Sequence, residues 1–446
     1  MTVSKETSPL EHSALKLTIT VGKDDVLSLY DETLADYGKT VHIPGFRKGK
    51  VPKEVLERKL GDALKEDVLG RIIDRSASSV LDDESFPLKE RPLPYSTPKI
   101  EGKPVLNLGA DLVYSLLYDV LPTVTLGQWK GIEVEIPDVR ISDEDIAYEL
   151  ETLRDRNSVV RDREDETPAS LNDVVTVNYS ELSENGELIP GSERQDFVFT
   201  IGTGRNVFKF DDEIIGMKKG EFKEFEKTYP ADFEDADLAG KTRKLRVSIT
   251  ALKEKILPEL DDEFAQDVDE KYKTLDDLKK SIRNRLEKEL EARLKNAKIN
   301  RLLEKIMETT PVDLPESMIR FQLESQWRNI ARNMNVSLDK PHEELMEALR
   351  PNAIRALHSR LIVEALINEL RLGVSDEELE AFLQHLAEEE KVSLEEIKGY
   401  YAKDEMKEVI KDNIKERKLF DILLAENRVN IGAPQTYQEF SSDANR

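Results

Sequence analysis

The sequence predicts a multidomain α+β chain. It has an α+β N-terminal domain, a small antiparallel β domain and an all-α C-terminal domain. Three observations carry this. At 446 residues the chain is too long for one hydrophobic core. Between Asp173 and Leu252 apolar residues alternate with polar ones in short runs split by turn signals. After Pro258 the apolar period changes to three or four residues and stays so nearly to the end. The expected domains are 1–118, 119–160 as a connector plus a helix completing the C-terminal domain, 161–254, 255–432, and a flexible tail at 433–446.

Residues 14–21, ALKLTITV, alternate and read as a strand. Asp24 and Asp25 suit the first turn of a helix carrying Val26, Leu29, Tyr30, Leu34 and Tyr37, with Gly38 as its stop. A second helical run starts near Lys53, with Leu56 and Leu60, and resumes after Gly61. Residues 87–104 are proline-rich and irregular; alternation returns at 111–120 and 132–136. Ser142-Asp143-Glu144-Asp145 caps a helix over 142–157. The charged stretch 155–168 ends in Pro168 and suits a domain boundary.

VVTVNYSEL, DFVFTIG, EFKEFEKTYP and KLRVSITAL are the strands of the β domain, and Asn185-Gly186 and Gly202-Thr203-Gly204 are turns. The helical segments that follow include 315–332, 353–370, 375–390 and 403–424.

Composition excludes several functions. The net charge of −25 argues against general nucleic-acid binding, which needs a basic face. With no cysteine there is no disulfide, thiolate metal site or Cys nucleophile. His12, His42, His342, His358 and His385 are scattered, so no metal site is expected and each reads as a solvated surface residue. No apolar run of signal-peptide or membrane-spanning type is present, which points to the cytoplasm. No phosphate-binding loop of the G-x-x-x-x-G-K-[ST] kind occurs, so no nucleotide cofactor is expected.

One stretch runs against the acidic background. Pro44-Gly45-Phe46-Arg47-Lys48-Gly49-Lys50-Val51-Pro52 lies in a segment, 40–53, without any acidic residue. Its glycines and prolines mark a loop between two helices. Arg47 and Lys48 suit phosphate or carboxylate partners, and Phe46 suits an apolar pocket. The plain alternative is a solvated basic turn.

These residues resemble the signature loop of the trigger factor family, bacterial ribosome-associated chaperones. The order of parts agrees, as does Leu257-Pro258-Glu259-Leu260-Asp261-Asp262-Glu263-Phe264 after the β domain. The resemblance covers nearly the whole chain. It implies that Gly45, Phe46, Arg47, Lys48, Gly49, Lys50 and Pro52 dock on ribosomal protein and adjacent rRNA at the tunnel exit. It implies a helical cradle for nascent and unfolded polypeptides, working without ATP in folding and export, and a homodimer when free. Met307, Met318, Met334 and Met346 suit an adaptable binding surface, although ordinary helix core explains each one singly.

The central domain resembles FKBP-type peptidyl-prolyl isomerases. Isomerisation needs no nucleophile or metal. An aromatic-lined pocket that disfavours the planar amide lowers the barrier of ~18–20 kcal/mol. By resemblance the pocket residues are Tyr179, Phe197, Phe199, Val207, Phe210 and Phe233, with Phe208 beside them. Spacing alone favours a plain aromatic core. Several positions depart from the family. Glu181, Lys209 and Glu213 stand where glycine is expected, Ile189 and Pro190 replace an aromatic and an acid, and Leu245 replaces an aromatic. The expectation is an FKBP-like fold with isomerase activity weak or lost. The competing reading is an isomerase whose other domains only deliver substrate.

Overall fold

The computed structural model describes residues 2–44, 46, 50–164, 166–183, 185–235, 237–334 and 343–443. The chain divides into two compact units, 1–136 with 295–431 and 137–294 with 432–446. The expected connector, 119–160, and the expected helical domain, 255–432, each contribute to both units.

The N-terminal part holds β1 (Val3–Pro9), β2 (Ala14–Val21), α1 (Lys23–Thr40), α2 (Lys53–Leu81), β3 (Lys99–Ile100) and β4 (Leu112–Asp119). The strands form an antiparallel sheet in the order β1-β2-β4-β3. The alternation of β2 becomes an alternation of burial, with Leu15, Leu17, Ile19 and Val21 all inward. They meet Val26, Leu29 and Leu34 of α1 and Leu56, Leu64, Val68 and Ile72 of α2 in one core.

Ser76 lies in the buried face of α2. Its hydroxyl donates to Ile72 O at 2.6 Å and meets Tyr114 Oη at 2.6 Å, so it stays hydrogen-bonded there. Two boundaries differ from expectation. Helix α1 runs past Gly38 to Thr40, and α2 passes through Gly61 unbroken. Strand β1 was not legible because it is an edge strand with polar residues on both faces.

After β5 (Glu133–Val139) comes α3 (Asp143–Arg156). Ser142 Oγ accepts from Asp145 N at 3.2 Å while the Asp145 carboxylate accepts from Ser142 N at 2.8 Å, a complete capping box. Ser142→Ala should cost about 1 kcal/mol, read by chemical denaturation. The stretch 155–168, expected as a plain boundary, contains a strand, β6 (Val159–Asp162).

The β domain continues with β7 (Val174–Leu182), β8 (Arg194–Thr200), the single turn α4 (Asp211–Ile214), β9 (Phe222–Thr228) and β10 (Thr242–Ile256). Its sheet is ordered β6-β10-β7-β8, with β9 also on β10. The helix α5 (Asp262–Val268) follows, then α6 (Leu275–Thr309). Ile146 and Leu150 of α3 pack against Phe264 of α5 and Leu278, Ile282 and Leu286 of α6.

The remaining helices are α7 (Glu316–Met334), α8 (Glu343–Glu369), α9 (Asp376–Glu390), α10 (Leu394–Tyr400) and α11 (Asp404–Glu426). Ile299, Leu302 and Ile306 of α6 pack with Ile362 and Leu366 of α8 and Leu419 and Leu423 of α11. Met318 is buried in the α7–α8 core, and Met307 and Met346 pack against their own cores. Met334 lies outside the residues whose side chains are described. Met318 is thus helix core, while Met307 and Met346 are only partly buried at the edges of their cores.

The stretch expected as a flexible tail carries regular structure. Strand β11 (Arg428–Gln435) pairs with β5, and α12 (Tyr437–Asp443) follows. Tyr437 packs on the α3–α6 core and its hydroxyl donates to Glu289 at 3.3 Å.

Three histidines have side-chain partners rather than solvent alone: His12, His358 and His385, whose ring Nδ1 lies 3.4 Å from Glu389. At the β1–β2 turn, His12 and Ser13 both take left-handed backbone, with φ of 59° and 49°. His12 N donates to the Asp313 carboxylate at 2.6 Å, the His12 ring Nδ1 lies 3.0 Å from its other oxygen, and Ser13 Oγ donates to Asp313 O at 2.6 Å. The hydrogen bond with His12 holds the Asp313 carboxyl below its ordinary pKa. His358 Nε2 meets Thr310 O at 2.6 Å. Thr310 Oγ1 in turn accepts from Gly127 N at 2.9 Å, where the connector passes the end of α6.

Candidate functional site

Two sites were expected, the basic loop and the aromatic set. The loop lies between α1 and α2, as its Gly/Pro content requires. Gly45, Arg47, Lys48 and Gly49 lie outside the described residues. The described limbs show how the tip is held. Ile43 is buried in the N-terminal core and Val51 packs against it. Pro52 supplies the extended N-cap of α2, with φ of −62°. Between these anchors Phe46 is 37% exposed, and Phe46 N donates to Ile43 O at 3.1 Å. Lys50 is exposed. Lys53, at the root of α2, is paired with Asp31 at 3.2 Å. An aromatic ring left exposed beside a buried isoleucine has forgone burial that was close at hand.

The aromatic set is brought together, but as a packed core. Tyr179 meets Phe197 edge-on at 5.7 Å, Phe208 at 5.7 Å and Phe210 at 5.4 Å. Phe199 lies 5.8 Å from Phe210 and 5.7 Å from Phe197. Phe225, which sequence reasoning missed, closes the far side of Phe210 at 6.4 Å. Phe210 is 0% exposed, so a substrate proline cannot touch it without displacing its neighbours. Phe233 stacks at a tilt on Tyr229, 4.9 Å away. Val207 is 54% exposed and stands apart from the cluster. Leu245 is fully buried in the same core.

Charged side chains tie the segments around this core. Lys209 keeps the left-handed backbone, φ 50°, of the glycine expected there. That conformation costs a non-glycine residue about 1 kcal/mol. Its Nζ donates to Gly204 O at 2.7 Å and pairs with Glu234 at 3.2 Å. Lys227 Nζ donates to Lys209 O at 2.5 Å and to the Glu213 carboxylate at 2.9 Å. Glu181, the third glycine replacement, pairs with Arg243 at 3.4 Å.

Tyr229 donates to Phe208 O at 2.8 Å, and burial, with Glu213 and Glu181 adding to it, raises its pKa to about 12. The Asp211 carboxylate, buried, accepts from Gly202 N at 2.7 Å and from Asn206 Nδ2 at 2.6 Å, which orders the 200–211 turn.

Known proteins resemble the chain along its full length. Residues 1–153 match the family model described as bacterial trigger factor protein, and residues 274–425 match its C-terminal counterpart. Residues 165–251 match FKBP-type peptidyl-prolyl cis-trans isomerase. The trigger factor of Treponema denticola is 41% identical over 453 residues, covering 99% of this chain and 100% of that one. This chain belongs to the trigger factor family.

The trigger factor of Treponema pallidum is 34% identical over 449 residues, covering 100% of both chains. A solved trigger factor chaperone chain is 24% identical and covers 95% of this chain and 99% of its own, with a TM-score of 0.46. The family assignment stands on the sequence relatives. The chain is thus a ribosome-associated chaperone with an FKBP-type domain. Among the described residues no helix is long and apolar enough to cross a membrane.

Proposed function

We propose that this trigger factor docks through the tip of its α1–α2 loop and holds unfolded nascent chains against its helical region without nucleotide. Gly45, Phe46, Arg47, Lys48, Gly49, Lys50 and Pro52 are the docking residues. Ribosomal protein and adjacent rRNA at the tunnel exit are their partners, and the cytoplasm is where they meet. The free protein pairs as a homodimer.

The observation that carries the docking reading is the exposed Phe46 ring between the buried Ile43 and the partly buried Val51. It lies in an acid-free stretch of a chain whose net charge is −25. For clients, an open groove of about 550 Å³ lies between the connector and α8, lined by Leu121, Val124, Leu126, Leu361 and Ala365 with Glu364 beside them.

Co-sedimentation tests the docking claim. The unaltered protein should pellet with ribosomes, and the Phe46→Ala/Arg47→Ala/Lys48→Ala variant should stay in the supernatant. Binding should weaken as salt rises, because exposed charges dominate it. Equal pelleting of both proteins would sink the assignment.

The FKBP-like domain acts with little or no isomerase activity. Fully buried Phe210, the left-handed Lys209 and the Lys227–Glu213 tie support this reading over the enzyme reading. A proline-limited refolding assay with a short-peptide control should give a rate near the uncatalysed one. Turnover at ordinary FKBP levels would overturn it.

A further inference from the structure

One face of the FKBP-like domain holds a cleft that includes no residue of the docking loop and shares only Tyr179 with the aromatic core. Its volume is about 190 Å³, and Asn178, Tyr179, Ser180, Leu188, Arg194 and Arg246 line it. The strand pairing shapes it. The β7–β8 register shifts between Val177 and Tyr179, and Asp196 opposite takes a left-handed φ of 52°. Asp196 N donates to Asn178 Oδ1 at 2.8 Å. That bond makes Asn178 Oδ1 the acceptor and leaves Nδ2 as the donor end of a side chain that lines the cleft.

Arg246 is already neutralised by Glu224, at 2.6 and 2.9 Å. Arg194 makes no ion pair among the described residues. It sits close enough to the Tyr179 hydroxyl to draw its pKa down against burial, the larger effect, which raises it. The acid that the family resemblance expects in the preceding loop is Pro190 here, so that position supplies no carboxylate. The exposed Glu193 is the cleft's acidic member. The cleft is thus lined by donors: the Arg194 guanidinium, which also bonds the Tyr179 hydroxyl, the Asn178 amide and the Ser180 hydroxyl. Its apolar member is Leu188, 44% exposed.

We propose that this cleft binds a carboxylate carried on an unfolded polypeptide, an Asp or Glu side chain with an apolar neighbour. Arg194 takes the carboxylate and Leu188 takes the neighbour. The domain then contributes client recognition rather than proline turnover. This rests on the client-binding part of the proposed function, but it is read without ribosomes, so failure of either leaves the other standing.

The test uses the full chain and two fluorescein-labelled peptides, Gly-Leu-Glu-Leu-Gly-Gly and its twin with Gln in place of Glu, followed by polarisation. The glutamate peptide should bind roughly three- to tenfold more tightly, the range of a charge-assisted hydrogen bond at a partly open site. Arg194→Gln should equalise the two peptides. Arg194 is exposed, so the variant should melt with the unaltered protein. Equal affinity of the unaltered protein for both peptides, or a preference that survives Arg194→Gln, overturns the proposal. Sodium acetate should displace the glutamate peptide no better than sodium chloride at matched ionic strength. Displacement at the peptide's own concentration would reduce the cleft to a small-anion site and overturn the polypeptide assignment.

Discussion

Gly127→Ala is expected to lower the melting temperature of the unit containing the α6, α8 and α11 helices by roughly 6–12 °C, the shift that about 3 kcal/mol produces at this size. A Cβ at Gly127 would lie 2.1 Å from Thr309 O, 2.6 Å from its carbonyl carbon and 2.7 Å from its hydroxyl. Two of these are backbone atoms, so no rotamer change relieves the overlap.

The backbone on either side is also held. Thr310 Oγ1 accepts from Gly127 N at 2.9 Å, Thr309 Oγ1 donates to Gln128 O at 3.3 Å, and His358 meets Thr310 O at 2.6 Å. Moving the connector outward breaks the first two bonds and leaves buried Thr310 without a partner for its hydroxyl. Gly22→Ala is the control, because nothing lies within 4 Å of its Cβ position and its φ is −62°. Circular dichroism melts of both variants decide the matter, and equal melting would mean that the α6 end yields to the connector.

Phe210→Ala should destabilise the FKBP-like domain by about 3–5 kcal/mol, the usual cost of emptying a buried phenylalanine site. Phe210 is 0% exposed and its ring meets Tyr179, Phe199 and Phe225 edge-on, so no surface residue can swing in to fill the void. Urea unfolding followed by intrinsic fluorescence and by limited proteolysis of the domain reads this directly. A loss below about 1 kcal/mol would show that the site collapses, and with it the claim of a sealed core. Val207→Ala, at an exposed position in the same segment, should stay within about 0.5 kcal/mol of the unaltered protein. The pair also bears on catalysis. Truncating Phe210 removes the fold together with any pocket, so Val207 is the cleaner position for asking whether this segment meets a substrate.

Much of the architecture was legible because it is written in local periodicity. The alternation in 14–21 and 174–182 reproduces the observed burial almost residue by residue. The capping signal at Ser142 was readable because a box needs only four consecutive residues. Strand β1, VSKETSP, was silent because an edge strand exposed on both faces needs no apolar side chain. Strand β11 was silent for a related reason. Its pairing partner, β5, is nearly three hundred residues away, and neither its glycine nor its proline suggests a strand.

At the aromatic site the sequence identified the residue types, and the departures at Lys209 and Glu213 were visible as lost glycines. Their ties to Lys227 and Glu234 were not legible, since they join segments that only the tertiary fold brings together. Phe225 was missed because it lies in EFKEFEKTYP among charges, where alternation predicts a strand but says nothing of which ring it will face.

The hairpin tip at His12 and Ser13 is a place where a protein engineer would ordinarily splice a reporter or an affinity tag. Short turns between edge strands usually accept foreign sequence because nothing depends on their shape. Here the turn spends two left-handed residues to present one backbone amide, one imidazole and one hydroxyl to Asp313. An insert between them would separate groups that act together only at this spacing. Grafted sequence belongs instead in the turn between Ser183 and Glu187, whose hydrogen bonds among the described residues join Ser183, Gly186 and Glu187 to one another.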